Sequence, residues 1–548
     1  MDLGEVEQWS RTAGFSAPQF LVLYEESLSL AVLRLLHTAH RERFQGPSSV
    51  KQDGEGTWRL VTGASHTAVS IPVTAPLPLD RLEAAGPPAQ WTHDGWRTVN
   101  TADDFLEALR HAWPQAESTF DRMSEDFTNS LANLLLTRLL FLKRRLDAPV
   151  VEPACGGHNY YPFPALRSPV SLADAVECSH VTGETMRMPL VRLRQHHFVS
   201  VAHADEASCW QAWSGSEDTW LPGTIPVHPW QWGGSAILRG ACDVGLVEPL
   251  GTGVVATPLA SQRTCRVEAT RHDVKLPIDV TLTAERRLLY PLNVRNAPMV
   301  SALVRSVHEA SGDEAESAIG FQYDLASLLA TDDVIGSHVA AIIRQPLSSP
   351  SGAAVVPALL LWSAPYLAKG LLDIGSGASA VDFFGRYCRL VMEEPVRWYA
   401  RWGLAFEPHL QNSLIEIRNG RAVRMILRDL DATILDAARV PALLSKHGLQ
   451  LDPRTWNAMA PTRDGARRLR HSLHYAHLGE VCTYLVRRHG ADPAELARQV
   501  DVTWDCLLRD HSGATRHRID ELRHLSLPVK QLLALRMRRS MEMQWACS

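Results

Sequence analysis

The chain has 548 residues, 45% of them hydrophobic and 21% charged, enough apolar side chain to bury a large core and far from the composition of a disordered polymer. Its 55 Lys plus Arg nearly balance 60 Asp plus Glu, and a net charge near −5 gives no basic footprint for nucleic acid or an anionic membrane, so the expected partners are small molecules. Nine cysteines without a C-x-x-C pair argue against a disulfide framework, a zinc ribbon or an iron–sulfur motif and are expected as reduced thiols.

The acidic start MDLGEVEQWS lacks the basic and apolar regions of a signal peptide, and the most apolar stretch, 131–142, is short and interrupted by Arg138. A cytoplasmic protein without a membrane span is the expectation. Residues 19–44 and 118–146 carry apolar side chains at three- and four-residue spacing and predict helices. Short strands are predicted at 58–62 and 66–73, and the Pro- and Gly-rich segment 75–95 as an irregular surface connection. These give a helix-rich first region, 1–150, that ends at the break APVVEPACGG.

The second region, 151–345, is dominated by β-type alternation and ends at the linker-like QPLSSPSG, 345–352. The third, 346–548, mixes helices, predicted at 380–402 and within 468–488, with one hairpin. No phosphate loop, zinc helix or nucleophile elbow is present, and Gly375-Ser-Gly-Ala-Ser379 reads as an ordinary loop.

In the second region a Gly157-His158 loop running to Arg167, and His228-Pro-Trp-Gln-Trp232, each read as structural when taken alone. Ser261-Gln-Arg263-Thr264 is different, because it precedes Lys275, Thr283 and Arg287. From 275 to 283 the alternation is nearly unbroken: Leu276, Ile278, Val280 and Leu282 share one face, with Lys275, Asp279, Thr281 and Thr283 on the other. Taken alone, that predicts an edge strand with a solvated polar face. The neighbouring hydroxyls and guanidinium supply donors for phosphate or carboxylate oxygens. On a straight strand Lys275 and Thr283 stand roughly 26 Å apart at about 3.3 Å per residue, so gripping one group requires a bend, for which Pro277 is the candidate.

In the third region Glu407-Pro-His409-Leu-Gln411-Asn412 is followed by Asn419-Gly420 and Arg428-Asp429-Leu-Asp431. Asn-Gly predicts a two-residue hairpin turn pairing residues whose numbers sum to 839, which sets Asn412 opposite Leu427. Strict pairing points Asp429 away from Glu407, His409 and Gln411, so a bulge or an early end is required if they share a site. Carboxylate and amide oxygens suit Mg²⁺, and an imidazole beside phosphates suits developing charge.

Taken in order, the GH…P…R loop at 157–167, HPWQ at 228–231, SQRT at 261–264, K…T…R at 275, 283 and 287, EPHLQN at 407–412, RDLD at 428–431 and LPVKQLLALRMR at 527–538 resemble the NRPS-independent siderophore synthetases, the IucA/IucC family. The resemblance implies an α+β cupped hand of thumb (1–150), fingers (151–345) and a distantly kinase-like palm (346–548). It also implies an ATP- and Mg²⁺-dependent enzyme that adenylates a carboxylate such as citrate and joins it to an amine or hydroxyl, and it admits a homodimer.

Carried over by position, His158, Ser261, Arg263, Thr264 and Lys275, with Gln411 and Arg428, would bind the nucleotide. Thr283, Arg287 and His409 would hold the carboxylate, and Asp429 with Glu407 or Asn412 the metal. Lys275, Arg287 and His409 are the expected catalytic groups. The family's first loop usually reads GHPxHPxxKxR, whereas this chain has Asn159, Tyr161 and Ala165 at the Pro, His and Lys positions, and its Asn-His pair is Ala476-His477. The competing readings are a kinase-like phosphotransferase, a catalytically impaired carboxylate- or nucleotide-binding homologue, and a ferric-siderophore reductase, which would need clustered cysteines where the end of this chain has Cys547.

Overall fold

A computed structural model describes residues 1–44, 48–64, 66–144, 157–158, 160–202, 222–283, 285–312, 317–347, 352–363, 370–452, 462–526, 528–538 and 545–547. The first region is built on the helices Ala17–Glu42 and Glu117–Lys143, the former started by a capping box between Ser16 and Gln19. A five-stranded antiparallel sheet runs in order through Ser48–Gln52, Trp58–Thr62, Val69–Pro72, Ala89–Thr92 and Gly95–Thr98. The strand expected at 58–62 is present, and that expected at 66–73 is shorter.

The segment 75–95 is not merely an irregular surface connection. It contributes the strand Ala89–Thr92 and buries Arg81 and Leu82, because four residues are too few to register as alternation yet enough to pair with a neighbour.

The second region centres on an eight-stranded antiparallel sheet in the order Phe198–Ala202, Asp324–Ala330, Ala340–Arg344, Asp273–Lys275, Thr264–Val267, Val247–Pro258, Met186–Leu193, Thr224–Pro226. The continuous edge strand expected over 275–283 is corrected here. The regular strand stops at Lys275, just before Pro277, which has no N–H to give a ladder, and resumes at Thr281–Leu282 against a different partner, with isolated bonds from the Leu276 N–H to Arg263 O and the Ile278 N–H to Arg287 O between them. Leu276, Ile278, Val280 and Leu282 are buried as the alternation requires. Lys275 is buried too, at 3% exposure, because its strand lies inside the sheet between Thr264–Val267 and Ala340–Arg344. His228-Pro-Trp-Gln serves the same break: His228 caps the helix Pro229–Gly234, and Gln231 Oε1 accepts the Asp279 N–H at 2.7 Å.

The third region packs the helix Ala378–Trp402 against a four-stranded sheet ordered Ile319–Phe321, Arg421–Leu427, Ser413–Arg418, Ala354–Pro357. Asn419 and Gly420 have φ of 48° and 74°, as the primed hairpin turn demands. Of the linker-like stretch, Gln345 is tied down through Gln345 N–H to Tyr323 O and Nε2 to Phe321 O, and residues 348–351 lie outside the described residues.

The chain end returns to the first region. Glu42 accepts the N–H groups of Leu533 and Ala534 at 2.9 Å each, capping the helix Leu532–Arg538, and Arg536 pairs with Asp126. Leu533 and Met537 thereby join the core of the first region. No described helix is long and apolar enough to cross a membrane.

Candidate active site

Elements from all three regions line one cavity of about 1110 Å³. Every residue singled out from the sequence, His158, Ser261, Arg263, Thr264, Lys275, Thr283, Arg287, Glu407, His409, Gln411, Asn412, Arg428 and Asp429, lies on its wall. Arg263 and Asp429, 166 positions apart, face the same space.

The hairpin explains how Asp429 arrives. Near the turn the pairs Ile417 with Ala422 and Arg418 with Arg421 sum to 839, as expected, but a bulge after Glu416 shifts the rest to 840, so that Ser413 faces Leu427. The Arg428 N–H then donates to Asn412 O at 3.0 Å, which brings Asp429 level with Gln411 rather than onto the opposite face. Asp429 itself has φ +67°. Among the described non-glycine residues of the wall, Gln262 at φ +67° and Thr283 at +63° are also left-handed, the latter β-branched and so strained by about 1–3 kcal/mol.

The break at Pro277 does the equivalent work for the second region. It lets Lys275 and Thr283 line one cavity, which a straight strand would forbid.

At the centre is a cluster of opposed charges. Lys275 Nζ lies 2.8 Å from Asp429 Oδ1 and 2.8 Å from both Asp431 oxygens. The Arg344 fork bridges Asp429 and Asp431, and its Nε donates to buried Asp324 at 2.8 Å. Burial acts against charge on Asp429, yet Lys275 and Arg344 overcome it and hold the carboxyl well below the usual range. Asp431 and Arg344 had no place among the expected site residues. Asp431 stands in the quoted RDLD, whereas a single Arg closing an apolar strand gives no signal in sequence.

His158 and His409 stand 6.1 Å apart, ring centre to ring centre. Burial pulls His409 down to about 4 and His158 well below its ordinary value, so both rings are neutral near pH 7. His409 Nδ1 accepts the Asn412 N–H at 3.2 Å and His158 Nδ1 the Tyr160 N–H at 3.3 Å, which leaves each Nε2–H as a donor.

Gly157 is required beside His158: its φ is +67°, and a Cβ there would come within 2.5 Å of Pro164 O. Tyr161 and Ala165, where the resemblance would lead one to expect His and Lys, line the same wall, and Asn159 lies outside the described residues. His477 is not on the wall. Its ring links Tyr387 Oη, 2.7 Å from Nε2, to Pro408 O, 2.7 Å from Nδ1, and so anchors the loop that presents His409.

Arg428 donates from Nε and Nη2 to Gln411 O at 2.9 and 2.6 Å, which fixes the loop's backbone. Glu407 accepts from Lys530 at 3.1 Å, with Arg468 at 3.7 Å, and this pair outweighs burial to bring its carboxyl down to about 2. A carboxyl whose folded pKa is depressed contributes stability that is present above its unfolded value, here 4.5, and lost as pH falls through the folded value near 2. Glu407→Gln is therefore expected to lower the melting temperature at pH 6, an effect of roughly 3 kcal/mol, and the gap to the parent should close as pH falls from 4.5 toward 2. Thermal melts of both proteins across that range check this.

Among the described residues no three His, Cys, Asp or Glu side chains form a metal-holding cluster. Magnesium asks for less, one or two carboxylates with the remaining positions filled by phosphate and water. The side chains of Asp429 and Asp431, both within 2.8 Å of Lys275 Nζ, fit that demand. Glu407, engaged by Lys530 and Arg468, fits it less well.

Among the described residues no cysteine lines the cavity, and two of its hydroxyls are structurally engaged: Ser261 Oγ accepts the Thr264 N–H at 3.1 Å, and Thr283 Oγ1 accepts from Arg287 at 2.9 Å. The site offers fixed cations and N–H donors rather than a nucleophile.

Residues 150–361 match the IucA / IucC family model, and residues 381–544 match a model described as ferric iron reductase FhuF-like transporter. Within the latter segment, Cys388 and Cys482 are wholly buried in the apolar core and Cys506 is partly exposed, a donor set that does not fit an iron–sulfur cluster. The N(2)-citryl-N(6)-acetyl-N(6)-hydroxylysine synthase of Vibrio mimicus is 24% identical over 311 residues, 50% of this chain and 52% of that protein. The chain spans about half the length of the first curated relatives it matches.

The fold is that of the petrobactin biosynthesis protein AsbB of Bacillus anthracis, with a TM-score of 0.78 and 14% identity over 100% of this chain and 98% of that one. It is likewise that of ATP-bound aerobactin synthetase IucA of Klebsiella pneumoniae, with a TM-score of 0.75 and 15% identity over 94% and 98%.

Proposed function

We propose that this chain, which belongs to the IucA / IucC family through residues 150–361, is a cytoplasmic ligase of siderophore assembly that adenylates a polycarboxylic acid with ATP and condenses it with an amine or hydroxyl. The observation that carries this reading is the convergence of Arg263, Lys275, Arg287, His158 and His409 on one cavity with the Asp429 and Asp431 carboxylates. A cavity of about 1110 Å³ exceeds what one small ligand fills and suits a nucleotide beside an acid. The similarity to a citryl-hydroxylysine synthase and to an ATP-bound aerobactin synthetase agrees with that pairing.

In this mechanism Lys275, Arg263, Ser261 and Thr264 hold the phosphates, with the Nε2–H of His158 as a neutral donor. Thr283, Arg287 and His409 orient the carboxylate. One of its oxygens attacks the α-phosphorus, a P–O bond forms and pyrophosphate leaves. The amine or hydroxyl then attacks the activated carbonyl and AMP leaves with the bond pair, so that no protein nucleophile is needed. Magnesium bound at Asp429 and Asp431 would neutralise phosphate charge. Fixed cations and N–H donors serve the charge that develops at phosphorus better than a catalytic triad would.

The test is product analysis with ATP, Mg²⁺, a panel of citrate-type acids and a panel of diamines and amino alcohols. AMP and pyrophosphate are expected. ADP and phosphate would make the chain a phosphotransferase, and nucleotide binding without turnover on any acid would make it a binding homologue.

A further inference from the structure

Among the described residues of the cavity wall, the Arg167 guanidinium has no ion-pair partner. Arg167 is 5% exposed, its Nη1 has no partner, and its Nη2 donates only to Thr137 Oγ1 at 3.1 Å. Other cations on the wall are compensated: Lys275 and Arg344 by Asp429 and Asp431, Lys530 and Arg468 by Glu407. Burial alone pulls Arg167 down to about 10, with no carboxylate acting on it.

Beside it His180, also on the wall, is wholly buried and kept neutral by burial and by Arg167 itself. Its Nδ1 is 2.7 Å from the Gln262 amide, and its Nε2 has no partner. A buried guanidinium without an anion is destabilising, and the cavity it lines is where an anion can reach it.

Its position identifies the anion. Arg167 pairs across two short strands with Leu282, and Leu166 O accepts the Thr283 N–H at 3.1 Å. It therefore adjoins Thr283, whose hydroxyl accepts from Arg287, the pair to which the proposed function assigns the acid.

We propose that Arg167, with Thr137 and His180, forms a subsite for a second carboxylate of the acid substrate, one that is not itself activated. The subsite deepens the ligase reading and rests on it for the name of the acid. It makes the substrate a di- or tricarboxylate and gives Arg167 the fork that a planar carboxylate needs.

The experiment is a thermal melt with citrate, tricarballylate, acetate, inorganic phosphate or ATP, each alone and without metal, on the parent, Arg167→Met and Arg167→Lys. The parent is expected to be stabilised by the two tricarboxylates and not by acetate. Arg167→Met should melt at or above the parent when free, because an uncompensated buried charge is gone, and bind the tricarboxylates about 10- to 100-fold more weakly. Arg167→Lys keeps charge without the fork and should be weakened as well.

Unchanged tricarboxylate binding in both variants overturns the subsite, as does an Arg167-dependent response to phosphate or ATP instead. Should Arg167→Met fail to fold, Arg167→Lys reads the binding by itself, and tricarboxylate affinity unchanged in that variant overturns the subsite. Arg167-dependent citrate binding without AMP release from any acid would sink the ligase reading and leave the subsite standing. AMP release with an unchanged citrate KM in the variants would do the reverse.

Discussion

Lys275→Met is expected to cut acyl-adenylate formation, read by hydroxylamine trapping, by roughly 10³-fold, because it deletes a fixed cation where phosphate charge develops. It should also destabilise the free protein by about 3–5 kcal/mol. Lys275 lies 2.8 Å from both Asp429 and Asp431, and removing it leaves two half-buried carboxylates to share Arg344. The two losses can be separated. Adding Asp431→Asn removes one orphaned charge and should recover part of the melting temperature while leaving trapping at the floor. Recovery of trapping together with stability would mean that Lys275 only holds the fold together and that the phosphate role belongs elsewhere.

The second large effect is expected at Arg344, the residue to which sequence gave no pointer. Its guanidinium joins Asp324, inside the second region's sheet, to Asp429 and Asp431 below the hairpin of the third. Arg344→Met leaves three carboxylates around Lys275 and should cost about 3–5 kcal/mol.

The pH dependence has a definite sign. Burial raises Asp324 from 3.8 to about 6 even with Arg344 pulling the other way, and without that arginine it rises further. A carboxyl with a raised folded pKa supplies stability that is complete below 3.8 and lost as pH climbs through the folded value. The variant should therefore regain melting temperature between pH 8 and pH 5.5, and the gap to the parent should narrow over that interval. A gap that stays constant or widens on acidification would show that the Asp324 contact does not control the loss.

Several features were readable from local chemistry. The apolar periodicity that marked 380–402 matches the helix Ala378–Trp402, the turn at Asn419-Gly420 has its positive φ values, and Leu276, Ile278, Val280 and Leu282 are buried. The strand at 275–283 was misread because alternation reports which side chains are buried, not whether the backbone between them is paired. Pro277 broke the ladder without disturbing the burial pattern.

The strand Ala89–Thr92 was missed for the opposite reason: it exists only because a neighbouring strand offers it a ladder. The partition at Lys275 was likewise invisible. Whether a lysine on a polar face is solvated or buried depends on the strands at its flanks, here Thr264–Val267 and Ala340–Arg344, the latter some 70 residues away.

The sequence by itself determined the inventory of chemistry, a set of hydroxyls, cations, imidazoles and acids in a recognisable order without a nucleophile motif, since residue type and short spacing are local properties. Tertiary structure alone decided how these groups meet. A one-residue bulge turns Asp429 toward Gln411, the returning end of the chain brings Lys530 to Glu407, and Arg344 closes the charge cluster while Arg167 is left without an anion. Register and charge compensation depend on partners distant along the chain, and one step of register reverses the face on which a side chain stands.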